Sequence, residues 1–224
     1  CQKLYDLSRG ADARPWCLTV SFTHPHDPYV ARRKYWDLYE NCAETAPPEA
    51  IPYADQDPHS KRLMDACDWR KFDLKPEQIN RARRGYFANI SYVDDKVGEI
   101  MQVLQDTRQE AIVVFVSDHG DMLGERGLWF KMNFLEGSAR VPLMIAAPGL
   151  EPGRIDTPVS TIDLTPTLAD LAGVSLDEVM PWTDGTSLVP VAAGATRGPV
   201  PMEYAAEGTI TPMVGLRDGR WKYI

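Results

Sequence analysis

Apolar residues return at Ile79, Tyr86, Ile90, Val93, Val97, Ile100 and Leu104 within "KPEQINRARRGYFANISYVDDKVGEIMQVLQ". The spacing predicts one helix of about eight turns. Pro76 suits its first turn, where no backbone N–H is needed. Elsewhere the apolar positions fall in short runs. Trp16–Thr23, Ala111–Ser117 and "VPLMIAAPG" read as strands; the first breaks at His24-Pro25-His26-Asp27-Pro28, the last at Pro148-Gly149. "STIDLTPTLADLAGV" reads as a short amphipathic helix, with Thr161 or Asp163 capping its start and Gly173 its end. "MVGLRDGRWKYI" places Asp218-Gly219 between two strand-like halves, a hairpin signature. Residues 41–75 are polar and proline-bearing without periodicity, and are expected to form an ordered excursion over the surface.

Strands interleaved with helices imply an α/β fold, its sheet covered on both faces, in one domain spanning 1–224. In such sheets chemistry gathers beyond the carboxyl ends of strands. Both strand-ending breaks that carry histidine, at His24–His26 and at His119, occupy that position.

Composition narrows the classes of function. The net charge is −8, with lysine and arginine dispersed rather than blocked. That argues against nucleic acid as a partner and suits a protein handling small molecules. No apolar run is long enough to span a bilayer, so no membrane association is expected. The clusters "ARRKY" (Ala31–Tyr35) and "RARRGY" (Arg81–Tyr86) read as solvated faces. Cys1, Cys17, Cys42 and Cys67 form no CxxC pair and read as reduced thiols, which points to a cytoplasmic setting. The sequence opens on Cys1 and closes on "GRWKYI", an apolar strand-like run, so it is expected to be part of a longer polypeptide.

The stretch "VVFVSDHGDMLGERGLWFK" (Val113–Lys131) holds the candidate chemistry. Asp118 and His119 follow an apolar strand, and a carboxylate oxygen beside an imidazole nitrogen suits a divalent cation. Two ligands are fewer than such a cation needs. Read alone, Asp-His-Gly-Asp is more simply a strand-ending turn. His24 and His26, at i and i+2, share a face in extended geometry and offer a metal ligand or a proton donor. The competing reading is an exposed turn with incidental histidines. Lys131 is either a surface lysine or the fixed positive charge that a transferred oxyanion requires; Arg126 and Arg140 are rival donors.

Taken in order, "SFTHPHDPY", "YFANISYVDDKVGEI", "VVFVSDHGDMLGERGLWFK", "ARVPLMIAAPG", "IDLTPTLADLAG" and "GLRDGRWKYI" resemble the type I sulfatases of the alkaline phosphatase superfamily. "DHGDMLGERGLWFKM" resembles the choline sulfatase branch. The motifs cover nearly the whole chain, from Ser21 to Ile224, and with six in order the turn reading of Asp118-His119 no longer prevails. The resemblance implies a mixed, mainly parallel central sheet flanked by helices, incomplete at its N-terminal side. It implies that Asp118 and His119 are the later pair of metal ligands, for Ca2+ or, alternatively, Mg2+ or Mn2+. It makes Lys131 the lysine on the sulfate group and His26, in "PHDP", the histidine at the leaving-group oxygen. The implied reaction is hydrolysis of a small sulfate monoester, choline-O-sulfate foremost, or of a phosphonate or phosphate ester by the sister enzymes. A non-catalytic remnant that binds a metal or an anion is the reading from another class. The enzyme is compatible with a homo-oligomer.

Candidates for an alkylammonium pocket are Trp129, Tyr204, Glu203 and Glu207, through cation–π and charge contacts. In the family a cysteine in Cys-x-Pro-x-Arg becomes formylglycine, the nucleophile. The cysteines here stand in "CQKLY", "CLTVS", "CAETA" and "CDWRK", none of which fits. The nucleophile and the early aspartate pair are therefore expected upstream of this sequence.

Overall fold

The computed structural model describes residues 1–12, 14–42, 46, 48–206 and 209–224. In chain order, helices α1 (Gln2–Arg9), α2 (Arg33–Trp36), α3 (Pro58–Ala66) and α4 (Pro76–Asp106) precede strand β1 (Val113–Val116) and the paired strands β2 (Met122–Leu123) and β3 (Trp129–Phe130). Then come α5 (Glu136–Ala139), β4 (Leu143–Ala146), α6 (Leu164–Leu171), α7 (Leu176–Val179), α8 (Val189–Ala192), β5 (Val200–Tyr204), β6 (Met213–Asp218) and β7 (Trp221–Tyr223). The chain divides into two compact units. One comprises Cys1–Pro52, Arg70–Ala111 and Leu123–Trp129; the other comprises Tyr53–Trp69, Ile112–Met122 and Phe130–Ile224.

The first unit is organised by α4, the 31-residue helix whose spacing is plain in the sequence. Pro76 opens it, and the Gln78 Oε1 accepts the Lys75 backbone N–H at 2.8 Å, which satisfies a donor the helix start leaves over. Ala88, Val93, Val103 and Leu104 are buried along it. Gly85 sits mid-helix, where glycine costs about 1 kcal/mol relative to alanine. Its presence is explained by proximity: a Cβ there would stand 2.2 Å from the carbonyl oxygen of Tyr29.

Two expectations change in this unit. Arg83 and Arg84 are not part of a solvated face. Arg83 pairs with Glu125 at 2.5 Å, its side chain only 12% exposed. The Arg84 Nε donates to the Trp36 carbonyl at 2.9 Å, and its guanidinium lies over the Trp36 ring. The helical period carries these two onto the packed side of α4. Trp16–Thr23 forms no strand. An extended segment becomes a strand only when a neighbour accepts and donates its backbone hydrogen bonds, and Trp16, Leu18 and Val20 remain exposed.

In the second unit β1 pairs antiparallel with β4, Val113 opposite Ala146 and Val116 opposite Leu143. Strands β5, β6 and β7 form an antiparallel meander. The hairpin falls where Asp218-Gly219 places it: Asp218 faces Trp221, and Gly219 takes φ +50°. The α/β class holds, while these three pairings among five strands are all antiparallel, where a mainly parallel sheet was expected. Parallel pairing needs a neighbour brought alongside by a crossover, and the segment best suited to it, Trp16–Thr23, is unpaired.

Asp163, one of the two residues expected to cap α6, stands at its N-cap position, but its side chain makes no bond into the helix. Its Oδ2 instead accepts the Ser160 N–H at 2.9 Å, closing the turn that leads into α6. Asp163 is fully buried and gripped by Arg197, with Nε to Oδ2 at 3.0 Å and a second nitrogen to Oδ1 at 2.8 Å. The Thr186 N–H adds a further bond to Oδ1 at 2.9 Å. The stretch 41–75 is more than a surface excursion. It contains α3, capped by Asp57 and opened by Pro58, and it buries His59, Ser60, Leu63 and Met64.

Candidate active site

Asp118 and His119 lie immediately beyond β1, where the β-branched run ends. The loop is held from several sides. The Ser117 hydroxyl donates to the His119 carbonyl at 2.7 Å, and the His119 N–H donates to Asp118 Oδ1 at 2.9 Å. The Gly120 N–H donates to the Ser138 carbonyl at 2.8 Å. A Cβ at Gly120 would stand 2.2 Å from the Gly137 carbonyl oxygen. The glycine of Asp-His-Gly-Asp is thus required by close backbone approach, not by a left-handed turn.

The imidazole of His119 is oriented by its own loop. Nδ1 lies 3.0 Å from the Gly120 carbonyl oxygen, which accepts only, so Nδ1 carries the proton. Nε2, the other nitrogen, stands 3.5 Å from Asp118 Oδ2. Partial burial pushes the Asp118 carboxyl up. The His119 N–H, the charge of His119, the residue's own N–H and the Ser117 hydroxyl together outweigh that and hold it below the ordinary carboxylate value. An imidazole whose Nδ1 is tied to a carbonyl and whose Nε2 lies beside a carboxylate has the orientation a metal-ligating histidine needs. The donor set fits a divalent cation as part of a site. Among the described residues no group of three or more such ligands occurs, so further ligands are required.

Lys131 follows β3, on a turn with unusual backbone. Phe130 and Met132, its neighbours on either side, take φ +61° and +80°. Left-handed backbone at two non-glycine residues is costly and collects at functional positions. Asn133 spans the turn: its Nδ2 donates to the Lys131 carbonyl at 3.3 Å and its Oδ1 accepts the Leu135 N–H at 2.9 Å. Of the rival donors, Arg140 is turned to Glu136 at 4.0 Å. Arg126 is tied through its backbone N–H to the Glu49 carbonyl at 3.3 Å.

The remaining candidates are distributed as follows. His26 belongs to the first unit, half in solvent, with Nδ1 2.9 Å from the Asp27 carbonyl and 3.1 Å from its carboxylate. His24 packs its ring on Tyr92 at 4.8 Å. Trp129 is half-buried in the first unit against Gly124. In the second unit Glu203 is exposed on β5, and Tyr204 packs edge-on to His59. Glu207 lies outside the described residues. The structure therefore brings Asp118 and His119 together and puts Lys131 in the same unit. Asn133 is missed by sequence reading although its partners lie only two residues away, and Gly120 is read there only as a turn residue because its close neighbour, Gly137, lies outside the local pattern.

The family model for Sulfatase matches residues 2–174. The chain belongs to the sulfatase family. Over its whole length it is 64% identical to a choline-sulfatase of Rhizobium meliloti (strain 1021), of which it covers 45%. It is 37% identical to arylsulfatase K of Danio rerio, over 66% of this chain and 30% of that protein. Among solved structures it resembles phosphonate monoester hydrolase SpPMH from Silicibacter pomeroyi. The TM-score is 0.74 at 28% identity, over 88% of this chain and 45% of that one. This sulfatase chain thus spans about half the length, or less, of the relatives it matches. No described helix is long and apolar enough to cross a membrane.

Proposed function

We propose that this chain carries the later metal ligands, the sulfate-binding lysine and the general acid of a sulfate monoester hydrolase acting on choline-O-sulfate. The observation that carries the reading is the oriented Asp118–His119 pair: a strand end that presents a carboxylate oxygen and an imidazole nitrogen 3.5 Å apart. Its support from outside the chain is the 64% identity to a choline-sulfatase.

The chemistry follows from the ester. As the C–O–S linkage opens at sulfur, negative charge gathers on the departing alkoxide and stays spread over the sulfate oxygens. A divalent cation, calcium foremost, would add positive charge at those oxygens when held by Asp118 and His119, and formylglycine would supply the attacking oxygen. The Lys131 ammonium holds a sulfate oxygen and stabilises charge there. His26 delivers a proton to the leaving oxygen. An alkyl alcohol leaves poorly, so this proton matters more for choline than for a phenol. Trp129 is the aromatic face for the quaternary ammonium, and Glu207 is the acidic candidate for the same charge.

A second reading, a phosphonate monoester hydrolase, is favoured by the structural likeness to SpPMH. The experiment that separates them compares kcat/KM of the native full-length chain, loaded with calcium or manganese, on choline-O-sulfate and on a phenylphosphonate monoester. Preference for the sulfate by an order of magnitude or more supports the proposal; preference for the phosphonate sinks it.

A further inference from the structure

His59 has no part in the chemistry above, yet it is buried, at 8% exposure, against the turn that carries Lys131. It is the second residue of α3, a helix start fixed by Asp57, whose carboxylate accepts the Ser60 N–H at 2.9 Å and the Ser60 hydroxyl at 2.6 Å. The His59 Nε2 lies 2.7 Å from the carbonyl oxygen of Met132. A carbonyl only accepts, so Nε2 carries the proton and donates it. Nδ1 is then a bare acceptor, buried without a hydrogen-bond partner among the described residues. Tyr204 packs edge-on against the ring at 6.0 Å.

From these contacts we infer that His59 is a positioning residue for Lys131, holding the 130–132 turn in the conformation from which the lysine reaches the sulfate group. The inference rests on the proposed role of Lys131. Phe130 and Met132 both sit in left-handed backbone, which side chains with a Cβ leave unless something ties them there. Two consecutive carbonyls of the turn are tied by side chains: that of Lys131 by Asn133, and that of Met132 by His59. The His59 bond is the shorter of the two, 2.7 against 3.3 Å. A buried imidazole left with one unpaired nitrogen has a cost, so burial alone does not account for a histidine here. Donation from Nε2 does.

The test uses the native full-length chain and four variants: His59→Leu, His59→Gln, Lys131→Ala and the double variant His59→Leu/Lys131→Ala. Turnover of choline-O-sulfate, inhibition by inorganic sulfate and melting temperature are measured on each. His59→Leu is expected to lower kcat/KM by about 10- to 100-fold, the scale of a small misplacement of a charged group. His59→Gln, whose amide nitrogen reaches about as far as Nε2, is expected to recover most of the loss. On the Lys131→Ala background, His59→Leu is expected to change kcat/KM by less than about 2-fold, because the two act as one unit. An equal loss on both backgrounds, or a lower melting temperature with unchanged kinetics and sulfate inhibition, overturns the inference alone. If Lys131→Ala keeps wild-type turnover and sulfate inhibition, the reading of Lys131 fails and this inference with it. Should His59→Leu not fold, His59→Asn replaces it: its shorter amide is expected to be impaired where His59→Gln is not, and equal behaviour overturns the inference.

Discussion

Gly120 approaches Gly137 so closely that a methyl group on Gly120 would stand 2.2 Å from the Gly137 carbonyl oxygen. The contact clamps the Asp118–His119 loop to the start of α5, and the bond from Gly120 N–H to the Ser138 carbonyl closes it. Gly120→Ala forces backbone to move against backbone, a change that costs about 1–3 kcal/mol. The variant should fold with a lowered urea midpoint and bind calcium more weakly than the native protein by titration calorimetry. Native-like affinity for calcium would separate the loop from the metal.

Asp163 and Arg197 form the buried ion pair beneath α6, with side chains 0% and 8% exposed. Removing one partner leaves a charge stranded in a dry place. Arg197→Ala should destabilise by roughly 3–5 kcal/mol in urea unfolding, while the double replacement Asp163→Asn/Arg197→Met should cost clearly less. Equal losses would mean that the bonds of Asp163 to Ser160 and Thr186, rather than the pair, carry the stability.

Glu136 meets three cations: Lys222 at 2.5 Å, Arg217 at 3.5 Å and Arg140 at 4.0 Å. The hydrogen bond from Lys222 is the main cause that holds its carboxyl below the ordinary value of 4.5, against a smaller opposing effect of burial. A depressed carboxyl favours folding above the unfolded-state pKa, and the gain fades as pH falls through the lower folded-state value. The side chain is half exposed, so the contribution is modest. Glu136→Gln should therefore melt lower than the native protein at neutral pH, and the gap should close well below pH 4.5. A gap independent of pH would assign the effect to packing.

The proposed proton donor sets a contrast between substrates. His26→Ala should slow choline-O-sulfate by about 10²–10⁴-fold, the usual reach of general acid catalysis, and an aryl sulfate far less, since a phenolate departs unaided. Equal slowing of both, read from kcat, would remove His26 from that role.

What the sequence made legible is what short-range physics decides. The apolar period of α4, the Asp218-Gly219 hairpin and the strand that halts at Asp118 each depend on residues a few positions apart. The rest depends on distant partners. His59 meets Met132 across 73 residues and Arg197 meets Asp163 across 34, and nothing local marks either pair. Trp16–Thr23 shows the converse: its β-branched and aromatic residues are suited to a strand, yet strand structure needs a neighbour, which local pattern does not supply. Arg83 and Arg84 looked solvated as members of a basic cluster, and only the helical face they occupy shows that one meets Glu125 and the other Trp36.

The central claim is that Lys131 holds the sulfate group of the substrate. The measurement that tests it most directly is sulfate release from choline-O-sulfate by the native full-length chain, metal-loaded, compared with its Lys131→Ala variant of equal melting temperature. Loss of about 10²–10³-fold in kcat/KM, the scale of removing one stabiliser of developing charge, is the expected result. A variant that turns over at the native rate would contradict the account.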